Sequence, residues 1–338
     1  MNDNQTRKGL VTVFGGSGFI GRHVVRALAG NGWRVRIACR RPDRALDLRS
    51  LGEPDQIDLV QANLRDPQSI AAALEGAEAA VNLVGILTES DDQTFADIQS
   101  RGARTVAEAV KNGGITRFVH ISAIGARKNS PSAYARSKAE GEAAVRELVP
   151  HAVIFRPSIV FGPEDDFFNR FATMARLMPI LPLVGASTRF QPVFVDDIAQ
   201  AAALALDGKA APGATYELGG PEVKTFRELV QYVCDVTRRR RYLVSLSFET
   251  GKLMASVTQI ASKLSLGLFP KLLSMTTDQV ELLRRDNVVS DEAKASGATF
   301  EGLGIAPRPI AAVVPAYLDH NREVGRPSPA RPDIDERE

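Results

Sequence analysis

Apolar residues in the first half of the chain fall into short continuous runs, separated by longer stretches with helical spacing. Leu10-Val11-Thr12-Val13-Phe14, β-branched and bounded by Gly9 and Gly15, predicts a strand buried on both faces. Residues 20–29 carry apolar positions three and four apart and predict a helix, stopped by Gly30-Asn31-Gly32. The alternation repeats, predicting strands over 34–39, 58–62, 79–84 and 117–121 and helices over 69–74 and 95–112. Strands alternating with helices at this pitch form βαβ units, whose crossovers require a parallel sheet. The expected fold class is α/β.

The second half is less regular. A helix is expected over 133–148, strands over 152–156 and 193–195, a helix over 196–206, and a strand over 215–218 that Gly219-Gly220-Pro221 closes. Thr225-Phe226-Arg227-Glu228 matches a capping box, with the Thr hydroxyl and the Glu carboxylate satisfying first-turn amides. Residues 321–338 are polar, charged and proline-rich, which predicts a disordered tail.

Composition narrows the function. With 44% hydrophobic residues in 338, the chain can bury a large core. A net charge of +2 gives no electrostatic case for nucleic acid as a partner. Two cysteines, Cys39 and Cys234, make no disulfide framework and sit at no zinc-ligand spacing, which points to a reducing compartment and no metal. The start lacks a signal-peptide apolar region, and no uncharged apolar run reaches the roughly 18–20 residues that cross a bilayer. A cytoplasmic protein is expected.

The chemistry begins at Gly15-Gly16-Ser17-Gly18-Phe19-Ile20-Gly21, which follows the first strand and opens the first helix. Glycines at Gly15, Gly18 and Gly21 let backbone amides and the helix N-terminus approach a pyrophosphate. At the end of the second strand a ribose 2′-OH calls for an acid and a 2′-phosphate for an arginine. The chain has Cys39-Arg40-Arg41-Pro42 there. Guanidinium pairs with phosphate, so NADP(H) is the preferred cofactor and NAD(H) the alternative. Downstream, Ser122 ends the fifth strand, and Tyr134 and Lys138 share one helical face at i, i+4. A phenol needs a nearby cation to act near neutrality. Lys138 is expected to supply it, with Ser122 hydrogen-bonding the carbonyl oxygen protonated during hydride transfer.

Together these motifs resemble the short-chain dehydrogenase/reductase family. They comprise GGSGFIG (15–21), NLRD (63–66), VNLVG (81–85), Ser122, YARSK (134–138), RPSIVFGP (156–163) and PVFVDDIA (192–199). The last two resemble the extended and atypical branches, which add a C-terminal substrate lobe. The resemblance implies a Rossmann-type doubly wound sheet over 9–160, completed by 189–220, with a smaller substrate or partner lobe from 161–188 and 221–320. It also implies cofactor contacts from Phe19, Ile20, Asn63, Leu64, Val84, Gly85, Tyr134, Lys138, Pro157 and Ile159. Asn63 stands where the family usually has an adenine-contacting acid.

Residues 161–183 and 276–290 resemble the branch that includes a nucleotide-binding accessory subunit of respiratory complex I, in which the cofactor is held structurally. Three functions stay open. One is an NADP(H)-holding partner of complex I subunits. The second is an active NADPH-dependent reductase or isomerase of a lipophilic carbonyl, such as a quinone precursor or steroid-like ring. The third is a regulatory dinucleotide sensor.

Other residues carry less. His120, beside Ser122, reads as a satisfied core histidine, and His23 and His151 have no partner at metal-ligand spacing. Glu164-Asp165-Asp166 reads as a solvated loop or lobe cap, and Asp196 and Asp197 as a helix start. Arg238 to Arg241 form a basic cluster, followed by Leu253, Val257, Ile260 and Leu264 at helical spacing and by Leu266, Leu268, Phe269, Leu272 and Leu273 around Pro270. Core packing and an apolar surface rimmed by positive charge are both open for this stretch. The second predicts peripheral association with the inner face of the cell membrane.

Overall fold

The computed structural model describes residues 8–90, 92–264 and 275–319, leaving aside the side chains of 257–264. The expected disordered tail lies outside these residues, as do the apolar positions from Leu266 to Leu273 and the side chains of Val257, Ile260 and Leu264. Seven strands form one parallel sheet: β1 (Leu10–Phe14), β2 (Arg34–Cys39), β3 (Ile57–Gln61), β4 (Ala79–Asn82), β5 (Arg117–Ile121), β6 (Val153–Pro157) and, much later, β11 (Thr215–Leu218). Their order is β11-β6-β5-β4-β1-β2-β3. Strand order therefore reverses at β1, which pairs with β2 on one side and β4 on the other. A crevice opens where neighbouring crossovers leave to opposite faces.

Period-two alternation sends side chains to both faces. Val11 and Val13 pack with Val24, Val25 and Leu28 of α1 (Phe19–Gly30) and with Ile198 and Ala202 of α6 (Val195–Leu206). Phe14 points the other way, toward Ile70 of α2 (Pro67–Leu74) and Val106 and Val110 of α3 (Gly102–Asn112). Thr12, fully buried on that second face, donates its hydroxyl to the Ala73 carbonyl at 2.7 Å.

Periodicity predicts a single helix over 95–112, but Ala96–Arg101 is a π-helical turn that leads into α3. The widened turn coincides with the closest approach of α4 (Ala133–Leu148). A Cβ on Gly141 would lie 2.3 Å from the Gln99 carbonyl oxygen, and the Gln99 side chain bonds the Ile86 carbonyl and the Ser137 hydroxyl. Such π turns are rare, occur mostly as single-turn bulges in α-helices, and are frequent at functional sites.

The chain leaves the sheet at β7 (Val160–Phe161) and builds the second lobe from α5 (Phe167–Leu177), β8 (Ile180–Val184) and β9 (Arg189–Phe190). It returns through β10 (Val193–Phe194) and α6 (Val195–Leu206) to β11. The lobe then resumes with β12 (Lys224–Thr225), α7 (Phe226–Val236), β13 (Tyr242–Leu246), α8 (Phe248–Leu264), α9 (Thr277–Leu282), α10 (Asp291–Ala295) and α11 (Ile310–Leu318). Phe161, Phe168, Phe194, Leu229, Val233 and Val314 form its core. The Thr225–Glu228 capping box is present on α7. The pairing of β8 with β13 has no clear sequence signal, because Pro182 interrupts the run. β8 has β13 as its ladder partner, so a missing N–H on the other side costs little.

Asp165 is buried and works as a lobe cap. It accepts from the amides of Gly162, Phe168 and Asn169 and from the Tyr317 hydroxyl, tying α5 to α11. Asp197, at the start of α6, pairs with Arg308 at 2.8 Å. Among the described residues no helix is long and apolar enough to cross a membrane.

Candidate functional site

A cleft of about 290 Å³ lies at the carboxyl ends of β1, β2 and β4. Its floor is the glycine turn. Gly15 has φ +79°, and a Cβ on Gly21 would stand 2.2 Å from the Gly15 carbonyl oxygen and 2.7 Å from Gly16 backbone. Only glycine lets the chain turn this sharply and α1 start this close to β1. Gly18 is the N-cap of α1 with extended backbone and no capping side chain, and the first turn carries no acid. First-turn amides are thus left for an anion, as a pyrophosphate requires.

Gly15, Ser17, Gly18, Arg40, Asn63, Leu64, Val84 and Gly85 all line this cleft. Phe19, Ile20, Gly21 and Arg41 adjoin it in sequence without lining it. Arg40 is exposed at the rim, and the Cys39 thiol beside it is pushed up by burial. Asn63 turns its carboxamide oxygen onto the Arg65 amide at 3.1 Å, so the residue replacing the usual acid shapes its own turn. Arg65, Ile86, Gln93 and Ile98 also line the cleft, beyond the cofactor contacts expected from the sequence. Arg65 lies inside the NLRD motif, which was the available signal. Pro157 and Ile159 lie apart from this cleft, at the end of β6. Pro157 accepts from the Ile124 amide and Ile159 from the Val193 amide.

The Ser–Tyr–Lys set stands on β5 and α4, one strand over. Ser122 follows β5, and its buried hydroxyl makes no hydrogen bond of acceptable geometry, although it helps hold the nearby Glu142 carboxyl charged. The Ser132 hydroxyl caps α4 by accepting from the Ala135 amide at 3.2 Å. Tyr134 sits in the first turn, its ring edge-on to Phe95 with centroids 5.7 Å apart. Lys138 is buried and donates to the Ile121 carbonyl at 3.2 Å. A Cβ on Gly85 would meet Lys138 Nζ at 3.1 Å, so the ammonium borders the cleft wall.

Electrostatics depart from expectation in one respect. The i, i+4 spacing predicts that Lys138 draws the Tyr134 phenol down, yet Tyr134 is pushed up to about 12, by burial first and the Asp278 carboxylate second. The Lys138 ammonium is turned onto a carbonyl and does not act on the phenol. Burial brings Lys138 itself down to about 8, opposed by Glu142 one turn on. Burial would raise Glu142, but Arg156, bonded to it at 2.8 and 2.7 Å, holds it below its ordinary value.

His120 is a core histidine. Burial, with Lys138 adding to it, drives it down to about 3, and the Asn82 carboxamide lies 3.3 Å from Nδ1. His23, expected to lack an acidic partner, has one: its Nδ1 lies 2.5 Å from Asp196, brought there by the packing of α1 on α6. Among the described residues no three potential ligands gather into a metal site.

The pattern of the NAD dependent epimerase/dehydratase family matches residues 11–219. The chain belongs to this family. It is 35% identical over 321 residues to "NADH dehydrogenase [ubiquinone] 1 alpha subcomplex subunit 9, mitochondrial" of Arabidopsis thaliana, covering 94% of this chain and 79% of that one. It is also 35% identical over 192 residues to a ceramide reductase of Caulobacter vibrioides, 57% of this chain and 59% of that one. The fold is that of an NADPH-dependent quinone oxidoreductase of Escherichia coli, with a TM-score of 0.68 and 20% identity over 92% of this chain and 99% of that one. Within this family the glycine turn, the uncapped α1 and the cleft above them fit a dinucleotide.

Proposed function

We propose that the protein binds NADP(H) in this cleft and reduces a lipophilic carbonyl compound. The observation that carries the reading is the Lys138 ammonium at the cleft wall, where a Cβ on Gly85 would meet Nζ at 3.1 Å, with a protonated Tyr134 one helical turn before it and Ser122 at the same end of the sheet. The bound dinucleotide supplies hydride. Ser122 donates a hydrogen bond to the carbonyl oxygen and Tyr134 gives that oxygen its proton, while the Lys138 ammonium keeps positive charge at the cleft wall beside Gly85. Arg40 at the rim, with no acid at the end of β2, favours a 2′-phosphate.

A second reading has its own support. Likeness to the complex I subunits extends along most of the chain, so the protein can act as a cofactor-holding partner of a respiratory complex. The lobe edge fits a location at the inner membrane face. Leu177, Ile180, Tyr242 and Val244 are exposed there, Tyr242 by 76%, and Arg176 and Arg240 are exposed beside them in sequence. Aromatic and aliphatic side chains mixed with arginine suit an anionic lipid interface.

NADPH is expected to bind more tightly than NADH, and Arg40→Ala to remove most of the difference. Deleting a charge-assisted hydrogen bond to phosphate costs roughly 1.5–3 kcal/mol. Equal wild-type affinities in a calorimetric titration would contradict the preference. Tyr134→Phe should bind NADPH as the wild type does while turnover of a lipophilic ketone falls about 100-fold or more. Undiminished turnover in that variant would remove Tyr134 from the mechanism. In flotation assays the protein should bind anionic vesicles at low salt and leave them at high salt. Absence of binding at low salt would leave the lobe edge without a membrane role.

A further inference from the structure

Asp278 belongs to the C-terminal lobe yet acts on the helix of Tyr134. It lies in the first turn of α9, which Thr276 and Gln279 cap with a reciprocal box. From there its carboxylate crosses to the start of α4. Oδ1 accepts from the Ala133 amide at 2.6 Å, while Oδ2 accepts from the Ser132 hydroxyl at 2.8 Å and the Tyr134 amide at 3.3 Å. One carboxylate thus serves the N-termini of two helices, and α4 has no acid of its own in its first turn. The two segments are more than 140 residues apart in sequence, so the contact exists only when the lobe is seated.

The other charges around Tyr134 are engaged elsewhere. On α4, Lys138 donates to the Ile121 carbonyl, Arg136 to the carbonyls of Ser130 and Pro131, and Glu142 pairs with Arg156 and Arg146. On β5, His120 is neutral beyond Lys138. In the π turn that packs on α4, Asp97 pairs with Arg101 and accepts from Thr94. In the loop before it, Glu89 accepts from the Phe95 amide.

We propose that Asp278 is a positioning residue through which the C-terminal lobe orients Tyr134 and biases it further toward the phenol. The inference rests on the reductase reading for its purpose, though not for its test. Its consequence is directional: a tyrosine that stays a phenol at working pH is ready to protonate a carbonyl oxygen, whereas alcohol oxidation needs the phenolate. Asp278 is also the charge that pushes the Tyr134 hydroxyl up beyond the effect of burial. Removing that charge makes proton loss easier, so the midpoint moves to lower pH.

The experiment uses the full chain saturated with NADPH and tyrosine labelled with ¹³C at Cζ, the Tyr134 signal being assigned as the one missing in Tyr134→Phe. In wild type that signal should remain a phenol up to about pH 10. Asp278→Asn keeps the size and an amide acceptor but loses the charge, and its Tyr134 midpoint should fall to lower pH, by less than burial raises it. Asp278→Glu restores the charge and should return the midpoint toward the wild-type value. An unchanged midpoint in Asp278→Asn, or an equal fall in Asp278→Glu, would reduce Asp278 to a helix cap and overturn the inference. No substrate is needed, so the result is independent of turnover. A shifted midpoint alongside undiminished activity in Tyr134→Phe would leave this coupling standing and remove the reductase reading.

Discussion

Glu142 is the residue on which the site's geometry turns. It is fully buried on α4, takes two bonds from Arg156 on β6 and one from Arg146, and through Arg156 reaches Glu217 on β11. A buried carboxylate offsets its desolvation only when such partners are complete, and losing one of them typically costs about 3–5 kcal/mol. The network therefore fixes α4 against the sheet in both register and rotation. Tyr134, Lys138 and Glu142 follow one another at four-residue intervals, so what anchors Glu142 also aims Lys138 and Tyr134. The same carboxylate offsets part of the desolvation of the Lys138 ammonium.

A second anchor comes from the other lobe. Asp278 grips the first turn of α4 while Gly141 lets its middle press against the π turn at Gln99. The helix is thus held from the sheet, from the neighbouring crossover and from the C-terminal lobe. The glycine turn is separate, built on β1 and α1; the segment after β4 links the two, with Val84 against Gly15 and Gly85 beside Lys138. The cleft and Tyr134 are assembled from different βαβ units and register against each other there.

Much of this is legible in the sequence because it is local. β1, the glycine turn and α1 form one continuous signal, and the same holds for the α/β alternation and the α7 capping box. The parts that escape depend on distant residues. β8 hides behind Pro182 because its pairing with β13 comes from a segment some sixty residues on. The π turn answers to packing by α4 rather than to its own periodicity. The direction of the Tyr134 shift does not follow from the YARSK spacing, since Lys138 turns to a carbonyl and the charge that matters arrives from α9. His23 finds Asp196 only through the packing of α1 on α6.

The central claim is that the glycine turn and the Ser122–Tyr134–Lys138 set serve a single bound dinucleotide. A crystal structure of the protein with NADP⁺ tests it most directly. The account predicts pyrophosphate density over Gly15, Gly18 and the first amides of α1, the 2′-phosphate at Arg40, and the nicotinamide end reaching Tyr134 and Lys138. A dinucleotide bound with its nicotinamide directed away from Tyr134, or lodged outside this cleft, would contradict it.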